Sequence, residues 1–156
     1  MNELFQCYFH VAFSVKESKP LIADEWKSLL NDFLKLRLGK FGHELIGIKS
    51  MSDHIHLLIR YSPETSIVRT IDDIRRSSSE FIRNYQLTSE HFEWENKFLL
   101  LSCAQFEIDD QLRYLRNQEV YHLEKGKSFA EEIIDLMDQQ ELPFNDRQLE
   151  YLRMEK

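Results

Sequence analysis

The sequence predicts an α+β fold in which helices cover a small antiparallel sheet. Near the start of the chain, apolar and polar residues alternate with the period of two that is typical of a strand. Over residues 22–38 and 66–85, apolar residues recur every three or four positions, as in amphipathic helices. The chain has 156 residues, 42% of them hydrophobic, with only 4 Gly and 3 Pro. We therefore expect one domain over residues 1–156, with a core of about 5–124 and a helical extension of about 127–156.

The predicted elements follow in the order strand, helix, strand, strand, helix, strand, and then further helices. They are strand 7–15, helix 22–38, strands 43–51 and 53–61, helix 66–85, a strand within 92–104, and helices 108–123 and 128–139. This order is typical of the ferredoxin-like βαββαβ arrangement, with both crossover helices on one face of the antiparallel sheet. A helix following the last strand then lies outside that core and is free to cover the other face.

Two histidines lie two residues apart in the third predicted strand, DHIHLLIRY. Side chains at i and i+2 of a strand project from the same face, so His54 and His56 emerge together while Ile55, Leu57 and Ile59 face the helices. Two imidazoles side by side indicate either a metal site or chance on a solvated face. The pair by itself does not decide between them, because two ligands do not complete a coordination shell.

The predicted helix 108–123 is a candidate partner for these histidines. Tyr114 and Gln118 lie four residues apart, hence on one stripe, with Tyr121 and His122 one turn further. A second stripe of Leu112, Leu115 and Leu123 is able to pack on the body of the protein. The helix is therefore either an ordinary amphipathic helix or one that brings a phenol and an amide to the imidazoles.

The net charge of −7 is unevenly distributed. Residues 107–156 hold 13 acidic and 7 basic residues, whereas 35–83 hold 9 basic and 6 acidic. Polyanion binding depends on local charge, so a nucleic acid remains a possible partner. The candidate DNA-binding residues are Arg69, Arg75, Arg76, Arg83 and Ser78 on helix 66–85. The alternative is a solvated face on which Asp72 and Asp73 pair with the arginines.

The chain contains only two cysteines, Cys7 and Cys103, in no CxxC pair. A disulfide framework or a zinc knuckle is therefore not expected. The sequence also has no apolar run long enough to span a membrane and no basic start followed by an apolar stretch. We expect a cytoplasmic protein with no membrane partner.

The motifs together resemble those of single-tyrosine HUH transposases of the insertion-sequence type (the IS200-like superfamily), including relatives associated with repetitive extragenic palindromes (REP). The resemblance runs almost from end to end. Its matching stretches are YFHV with FS in the first strand, MSDHIHLLI, IRRSSSEFIR, FEW, YLRNQEVYH, and KSFAEE near the end.

The resemblance implies a specific activity. Such enzymes cut and rejoin single-stranded DNA beside a hairpin, through a 5′-phosphotyrosine intermediate. Carried onto this chain, Tyr114 is the nucleophile, and His54, His56 and Gln118 hold Mg²⁺ or Mn²⁺. Family members act as dimers, so the resemblance also implies a homodimer. Whether each tyrosine serves its own chain or the partner is left open.

Departures from the family pattern leave alternatives. Relatives often have Gly-Tyr after the tryptophan, where this chain has Trp94-Glu95-Asn96. Tyr121 stands where relatives often have a histidine, which makes it a rival nucleophile, although only Tyr114 begins the Y-x-x-N-Q motif. The alternative function is a domesticated, non-catalytic protein that binds single-stranded DNA hairpins. A metal-binding regulator without a DNA partner is a third possibility.

Overall fold

A computed structural model describes residues 4–142 and contains a four-stranded antiparallel sheet. Its strands are β1 (Cys7–Ser14), β2 (Glu44–Ser50), β3 (His54–Tyr61) and β4 (Leu99–Cys103), in the spatial order β2-β3-β1-β4. In the central pair, Ala12 lies opposite His56 and Ser14 opposite His54. Residues 143–156 of the predicted extension lie outside the described residues.

Four α-helices accompany the sheet. They are α1 (Asp24–Lys40), α2 (Ile67–Asn84), α3 (Ile108–Arg116) and α4 (Phe129–Gln139). Short 3₁₀ turns occupy Lys16–Ser18 and Gln105–Glu107, and a π-type turn spans Val120–Glu124. The element order and strand order confirm the predicted ferredoxin-like arrangement. Among residues 4–142, no helix is long and apolar enough to cross a membrane.

The main hydrophobic core lies between the sheet and helices α1 and α2. Strands β1 and β3 contribute every second residue to it, as the alternation in the sequence predicts. These strand residues, all at most 1% exposed, are Val11, Phe13, Ile55, Leu57 and Ile59. The helices contribute the apolar stripes that define them, including Leu30, Leu34, Ile71 and Ile74. One face of the sheet is therefore covered by apolar packing, both aliphatic and aromatic.

The opposite face of the sheet is covered by α3 and α4. A smaller hydrophobic cluster joins Ala12, Leu99 and Leu101 of the sheet to Phe129, Ile133 and Leu136 of α4. Helix α4 begins at the predicted capping box, where the Ser128 hydroxyl accepts a hydrogen bond from the Glu131 backbone N–H at 3.2 Å. The face that the sequence leaves open is thus occupied by the chain's own helices.

The prediction of one continuous helix over residues 108–123 is wrong. Helix α3 ends at Arg116, and the chain continues through Asn117 into the π-type turn. This wider turn changes the angle at which the later side chains project. As a result, Leu115 is buried but Leu123 is 80% exposed, contrary to the predicted packing stripe.

Candidate metal centre and nucleophile

Strand β3 places His54 and His56 side by side under α4. Both lie on the face opposite Ile55 and Leu57, and both are at most 1% exposed. Opposite His56 on β1 is Ala12, whose small side chain leaves room for an imidazole between strand and helix. The Phe129 ring of α4 stacks on His54 with 4.4 Å between ring centroids. The two histidines are therefore rigidly held and shielded from bulk water.

Helix α3 approaches the sheet closely over Gly47 of β2. A Cβ atom at this glycine would lie 2.7 Å from Leu112 Cδ2 and 3.5 Å from Leu115 Cδ2. The missing side chain therefore lets α3 pack directly on the strand, with Leu115 buried. This contact sets the distance between α3 and the sheet, and with it the position of Tyr114 and Gln118 relative to the histidines.

The structure brings Gln118 to the histidines, which is one of the two alternatives that the sequence leaves open for helix 108–123. Gln118 is fully buried, and its Oε1 lies 3.1 Å from His54 Nε2. The same oxygen lies 3.1 Å from Nε2 of His122, which the π-type turn carries to the site. His10 on β1 is the next neighbour, with its Nε2 at 2.8 Å from His56 Nδ1.

A fully buried carboxylate, Glu132 of α4, lies at the centre of this cluster. Its Oε1 is 3.1 Å from Nε2 of His56, 3.1 Å from Nε2 of His122 and 3.4 Å from Nε2 of His54. Its Oε2 accepts hydrogen bonds from the Tyr114 hydroxyl and, at 2.5 Å, from the Gln118 amide. All the predicted catalytic and metal-binding side chains therefore meet at this residue.

The sequence analysis missed Glu132 as a site residue, although the sequence carries a signal for it. The inward side of α4 is apolar, with Phe129, Ile133 and Leu136 buried in the second cluster. Glu132 lies on this same side of the helix, three residues after Phe129 and four before Leu136. A glutamate on the apolar stripe of a helix is rarely buried without a partner, so this position was a candidate for a functional carboxylate.

The outer ring nitrogens of two histidines are held by acceptors. His54 Nδ1 lies 2.7 Å from Asp53 Oδ1, and His122 Nδ1 lies 2.7 Å from the Lys127 carbonyl oxygen. A carbonyl or carboxylate oxygen only accepts, so each Nδ1 carries the hydrogen. Nε2 of each ring then faces the acceptor oxygens of Gln118 and Glu132, to which it donates a hydrogen bond when the ring is protonated. This arrangement is typical of metal-binding histidines, whose other nitrogen donates to an oxygen.

The charges of the site follow from the same contacts. Burial raises the pKa of Glu132, but hydrogen bonds from His122, His54 and His56 outweigh it and hold the pKa well below its usual range. Burial lowers the pKa of His54, yet the bonds to Asp53 and Glu132 raise it to about 9. Burial dominates for His10, whose pKa falls to about 3. The ionised Glu132 carboxylate therefore lies beside one imidazole, that of His54, whose pKa favours the protonated form.

The donor set fits a divalent cation. One ligand atom from each of His54, His56 and Glu132 lies within 4.8 Å of the others. Around an octahedral ion with bonds of about 2.1 Å, adjacent ligand atoms lie roughly 3 Å apart. The nitrogen–oxygen separations of 3.1 to 3.4 Å match that spacing. A cation would also replace the proton that otherwise neutralises this cluster, because metal and proton compete for the same lone pairs.

The two tyrosines of this region have different surroundings. The Tyr114 ring lies 5.9 Å from both the His10 and His56 rings, with its hydroxyl on Glu132. Burial, the charge of Glu132 and their hydrogen bond raise the Tyr114 pKa far above its usual value. The Tyr121 hydroxyl instead donates to Asp135 Oδ2 at 2.5 Å. Of these two tyrosines, Tyr114 is the one whose hydroxyl contacts the cluster of His54, His56 and Glu132.

Helix α2 and its arginines lie on the other side of the sheet from this cluster. Two of the four arginines hold the segment before β4: Arg75 donates to the Glu95 carbonyl at 2.7 Å, and Arg83 to the Phe92 carbonyl at 2.8 Å. Arg69 and Arg76 are exposed, although Arg76 also pairs with Asp73 at 3.2 Å. A surface for phosphates on α2 would therefore depend mainly on Arg69 and Arg76.

Ser78 does not belong to that surface. It is fully buried, its hydroxyl donates to the Ile74 carbonyl, and it accepts a hydrogen bond from Trp94 Nε1 at 2.8 Å. The predicted DNA contact by Ser78 is not supported by this position, because the hydroxyl faces the core on the inner side of α2. Its partners indicate a structural role that joins α2 to the segment before β4.

The fold and the cluster define a ferredoxin-like protein with a histidine pair, a tyrosine and a buried group of side chains able to hold a metal ion. The family model for IS200-like transposases matches residues 3–118 of the chain. The chain therefore belongs to the IS200-like transposase family.

The relatives agree with this assignment. The chain is 22% identical over 120 residues to the ISDra2 transposase TnpA of Deinococcus radiodurans, covering 74% of this chain and 86% of that one. A solved structure described as a transposase from Deinococcus radiodurans R1 superposes with a TM-score of 0.62 and 19% identity, over 76% of this chain and 95% of that one. A solved structure of a REP-associated tyrosine transposase bound to a REP hairpin superposes with a TM-score of 0.58 and 11% identity. The match covers 78% of this chain and 74% of that one.

The family match divides the site into two parts. His54, His56, Tyr114 and Gln118 lie within the matched residues 3–118, whereas His122 and Glu132 follow them. The groups that complete the buried cluster are therefore supplied by a part of the chain beyond the family match.

Proposed function

We propose that this transposase cleaves and rejoins single-stranded DNA beside a hairpin, with Tyr114 as the nucleophile and a divalent cation, Mg²⁺ or Mn²⁺, held by His54, His56 and Gln118. The observation that carries the proposal is the convergence of these four side chains in one chain. Gln118 Oε1 lies 3.1 Å from His54 Nε2, and the Gln118 amide shares Glu132 Oε2 with the Tyr114 hydroxyl. Because these side chains converge within one chain, we propose that each tyrosine serves its own chain.

The residues have separate tasks in this reaction. A bound cation would make the scissile phosphorus more electrophilic and favour the phenolate, which a free tyrosine with a pKa of about 10 forms poorly. Tyr114 Oη attacks that phosphorus, and the bond from phosphorus to the 3′ oxygen breaks. The downstream strand stays on Tyr114 as a 5′-phosphotyrosine, and the upstream strand leaves with a 3′-hydroxyl. Attack by another 3′-hydroxyl on the phosphotyrosine reverses the step and joins the strands.

The neighbouring groups position the tyrosine for this attack. The Tyr114 hydroxyl donates its hydrogen bond to Glu132 Oε2, which holds the phenol beside the histidines. Burial and the same carboxylate raise the Tyr114 pKa, so formation of the phenolate would depend on the cation. The rings of His10 and His56 limit the movement of the phenol. Asp53 orients His54 through the bond to Nδ1. The order of these groups favours cleavage over a purely DNA-binding role, which needs none of them.

The DNA partner and the oligomer belong to the same proposal. A relative of this fold is a transposase bound to a REP hairpin, which supports a single-stranded DNA hairpin as the substrate. We propose that exposed Arg69 and Arg76 on α2 contact its phosphates and that two chains form a homodimer. Hairpin affinity should then fall steeply as salt rises, since phosphate contacts release counterions. Light scattering at working concentration tests the dimer, and a monomer alone would contradict it.

The decisive experiment follows the covalent intermediate. Hairpin DNA with a 3′-flanking single strand is labelled either upstream or downstream of the cut and incubated with the protein and Mn²⁺. Only the downstream label should remain on the protein. Tyr114→Phe removes one oxygen, so the adduct should disappear while hairpin binding persists.

Tyr121→Phe is the matched control, because Tyr121 is the neighbouring tyrosine and donates to Asp135 instead. It should leave the adduct unchanged. An adduct that is lost with Tyr121→Phe and kept with Tyr114→Phe would assign the nucleophile to Tyr121. Binding without any adduct from the wild-type chain, with either metal, would favour the non-catalytic hairpin-binding protein.

A further inference from the structure

We propose that Glu132 is an anionic ligand of the same divalent cation, so that helix α4 is part of the metal site. This inference rests on the proposed function, which assigns only His54, His56 and Gln118 to the ion. It adds a fourth ligand from beyond the part of the chain that the family model matches, residues 3–118. In this chain, metal binding and docking of α4 on the sheet are therefore linked.

The orientation of the ring nitrogens carries the first step. Nδ1 of His54 and Nδ1 of His122 are committed to acceptors, Asp53 and the Lys127 carbonyl. The inner Nε2 atoms of both rings then face Glu132 Oε1. Two nitrogens and one oxygen that converge on one point can share either a proton or a cation, and they are the ligand atom types of a divalent metal site.

The spacing carries the second step. Glu132 Oε1 is 3.1 to 3.4 Å from the Nε2 atoms of His54, His56 and His122. These are the distances expected between adjacent ligand atoms of one ion with bonds of about 2.1 Å. Small displacements of the side chains would therefore place one cation in contact with the carboxylate and the imidazoles together. Hard divalent cations such as Mg²⁺ and Mn²⁺ prefer oxygen ligands, and a carboxylate supplies more charge than the Gln118 amide.

The burial of Glu132 carries the third step. An ionised carboxylate that is fully excluded from water is costly unless opposite charge lies nearby. A bound divalent cation supplies that charge at the place where the histidines already converge. Glu132 also holds the Tyr114 hydroxyl through Oε2. One carboxylate would thus connect the ion to the nucleophile, which keeps the tyrosine next to the metal.

The test measures Mn²⁺ binding by isothermal titration to the full chain, without DNA. Glu132→Gln keeps the shape of the side chain and removes its charge, so the affinity for Mn²⁺ should fall at least tenfold. Asp138→Asn is the matched control, because it removes the same charge from the exposed end of the same helix. Its affinity should stay within twofold of the wild type. The double variant His54→Ala/His56→Ala should not bind Mn²⁺.

The outcomes separate this inference from the proposed function. No Mn²⁺ binding by the wild type would contradict the metal-dependent function itself. Wild-type affinity in Glu132→Gln, with binding lost in the double histidine variant, would overturn only the role of Glu132. Anomalous diffraction from wild-type crystals containing Mn²⁺ gives a second measurement that needs no variant. It should place the ion within about 2.5 Å of a Glu132 oxygen, and a separation beyond roughly 3.5 Å would overturn the inference.

Discussion

The two faces of the sheet are equally buried but differ in chemistry. On β3, Ile55 and Leu57 face α1 and α2, while His54 and His56 face α3 and α4, and all four are at most 1% exposed. The first face is closed by the packing of aliphatic and aromatic side chains. The second face contains a carboxylate, an amide and several imidazoles that bond to one another. One strand therefore stabilises the fold with one set of residues and builds the site with the other.

The difference indicates how stability and function are divided. Aliphatic burial contributes roughly 25 cal/mol per Å² and needs no partner of a particular kind. A buried polar cluster contributes little net free energy to folding, because the cost of desolvation offsets its hydrogen bonds and ion pairs. We therefore expect substitutions on the helix α1 and α2 side to change stability, and substitutions on the α3 and α4 side to change metal binding.

Among the tests of this difference between the two faces, Leu57→Ala should cause the largest change in the free energy of unfolding. Leu57 is fully buried in the main core, and truncation leaves a cavity that neighbouring side chains fill incompletely. We expect the free energy of unfolding in urea to fall by about 2 to 5 kcal/mol. Mn²⁺ affinity, measured where the variant is folded, should not change. Val68→Ala on exposed α2 surface is the control and should cost less than about 0.5 kcal/mol.

A loss of Mn²⁺ affinity in Leu57→Ala would contradict the division between the faces. It would mean that packing on the core side sets the positions of the histidines.

A smaller effect is expected from the cation itself. A ligand that binds only the folded chain stabilises it by about 2.7 kcal/mol at a concentration one hundred times its Kd. Thermal unfolding of the wild type should therefore shift upward with Mn²⁺ and return to its starting value with a chelator. His54→Ala/His56→Ala should show no shift with Mn²⁺, whatever its own stability. An equal shift in both proteins would place the binding site elsewhere.

The fold was predictable because the sequence shows both the periodicity of the apolar residues in each element and the order of the elements. The alternation in β1 and β3 and the apolar stripes of α1 and α2 define their elements without reference to distant residues. The break after Arg116 was not predictable in this way, because the pattern of Leu112, Leu115 and Leu123 is compatible with one helix. Its end depends on how the chain turns to meet α4.

The site was predictable in part for the same reason. His54 and His56 share a face by strand geometry, and Tyr114 and Gln118 share a stripe by helix geometry. Glu132 reaches them only through the docking of α4 on the sheet, a contact between residues far apart in sequence. Ser78 is the opposite case, because its neighbours in sequence and its place on the helix indicate different roles. It lies among arginines along the chain, but its spacing from Ile71, Ile74 and Ile82 puts it on the inner stripe of α2.

The smallest change in stability is expected for Ser78→Ala, which tests whether this residue of α2 has a structural role or a role in DNA binding. The Ser78 hydroxyl accepts the indole N–H of Trp94 at 2.8 Å, and both side chains are buried. Alanine keeps the packing but leaves that N–H without this acceptor, which costs about 1 to 3 kcal/mol, near the lower limit if water reaches it. Ser77→Ala, one position along the same helix, removes a long 3.5 Å contact to the Ile74 carbonyl and should cost less than about 0.5 kcal/mol. Urea unfolding measures both, and hairpin affinity at fixed salt should be equal in the two variants. If Ser78→Ala left stability unchanged and weakened hairpin binding, the structural role would be wrong. Ser78 would then be part of the DNA-binding surface of α2.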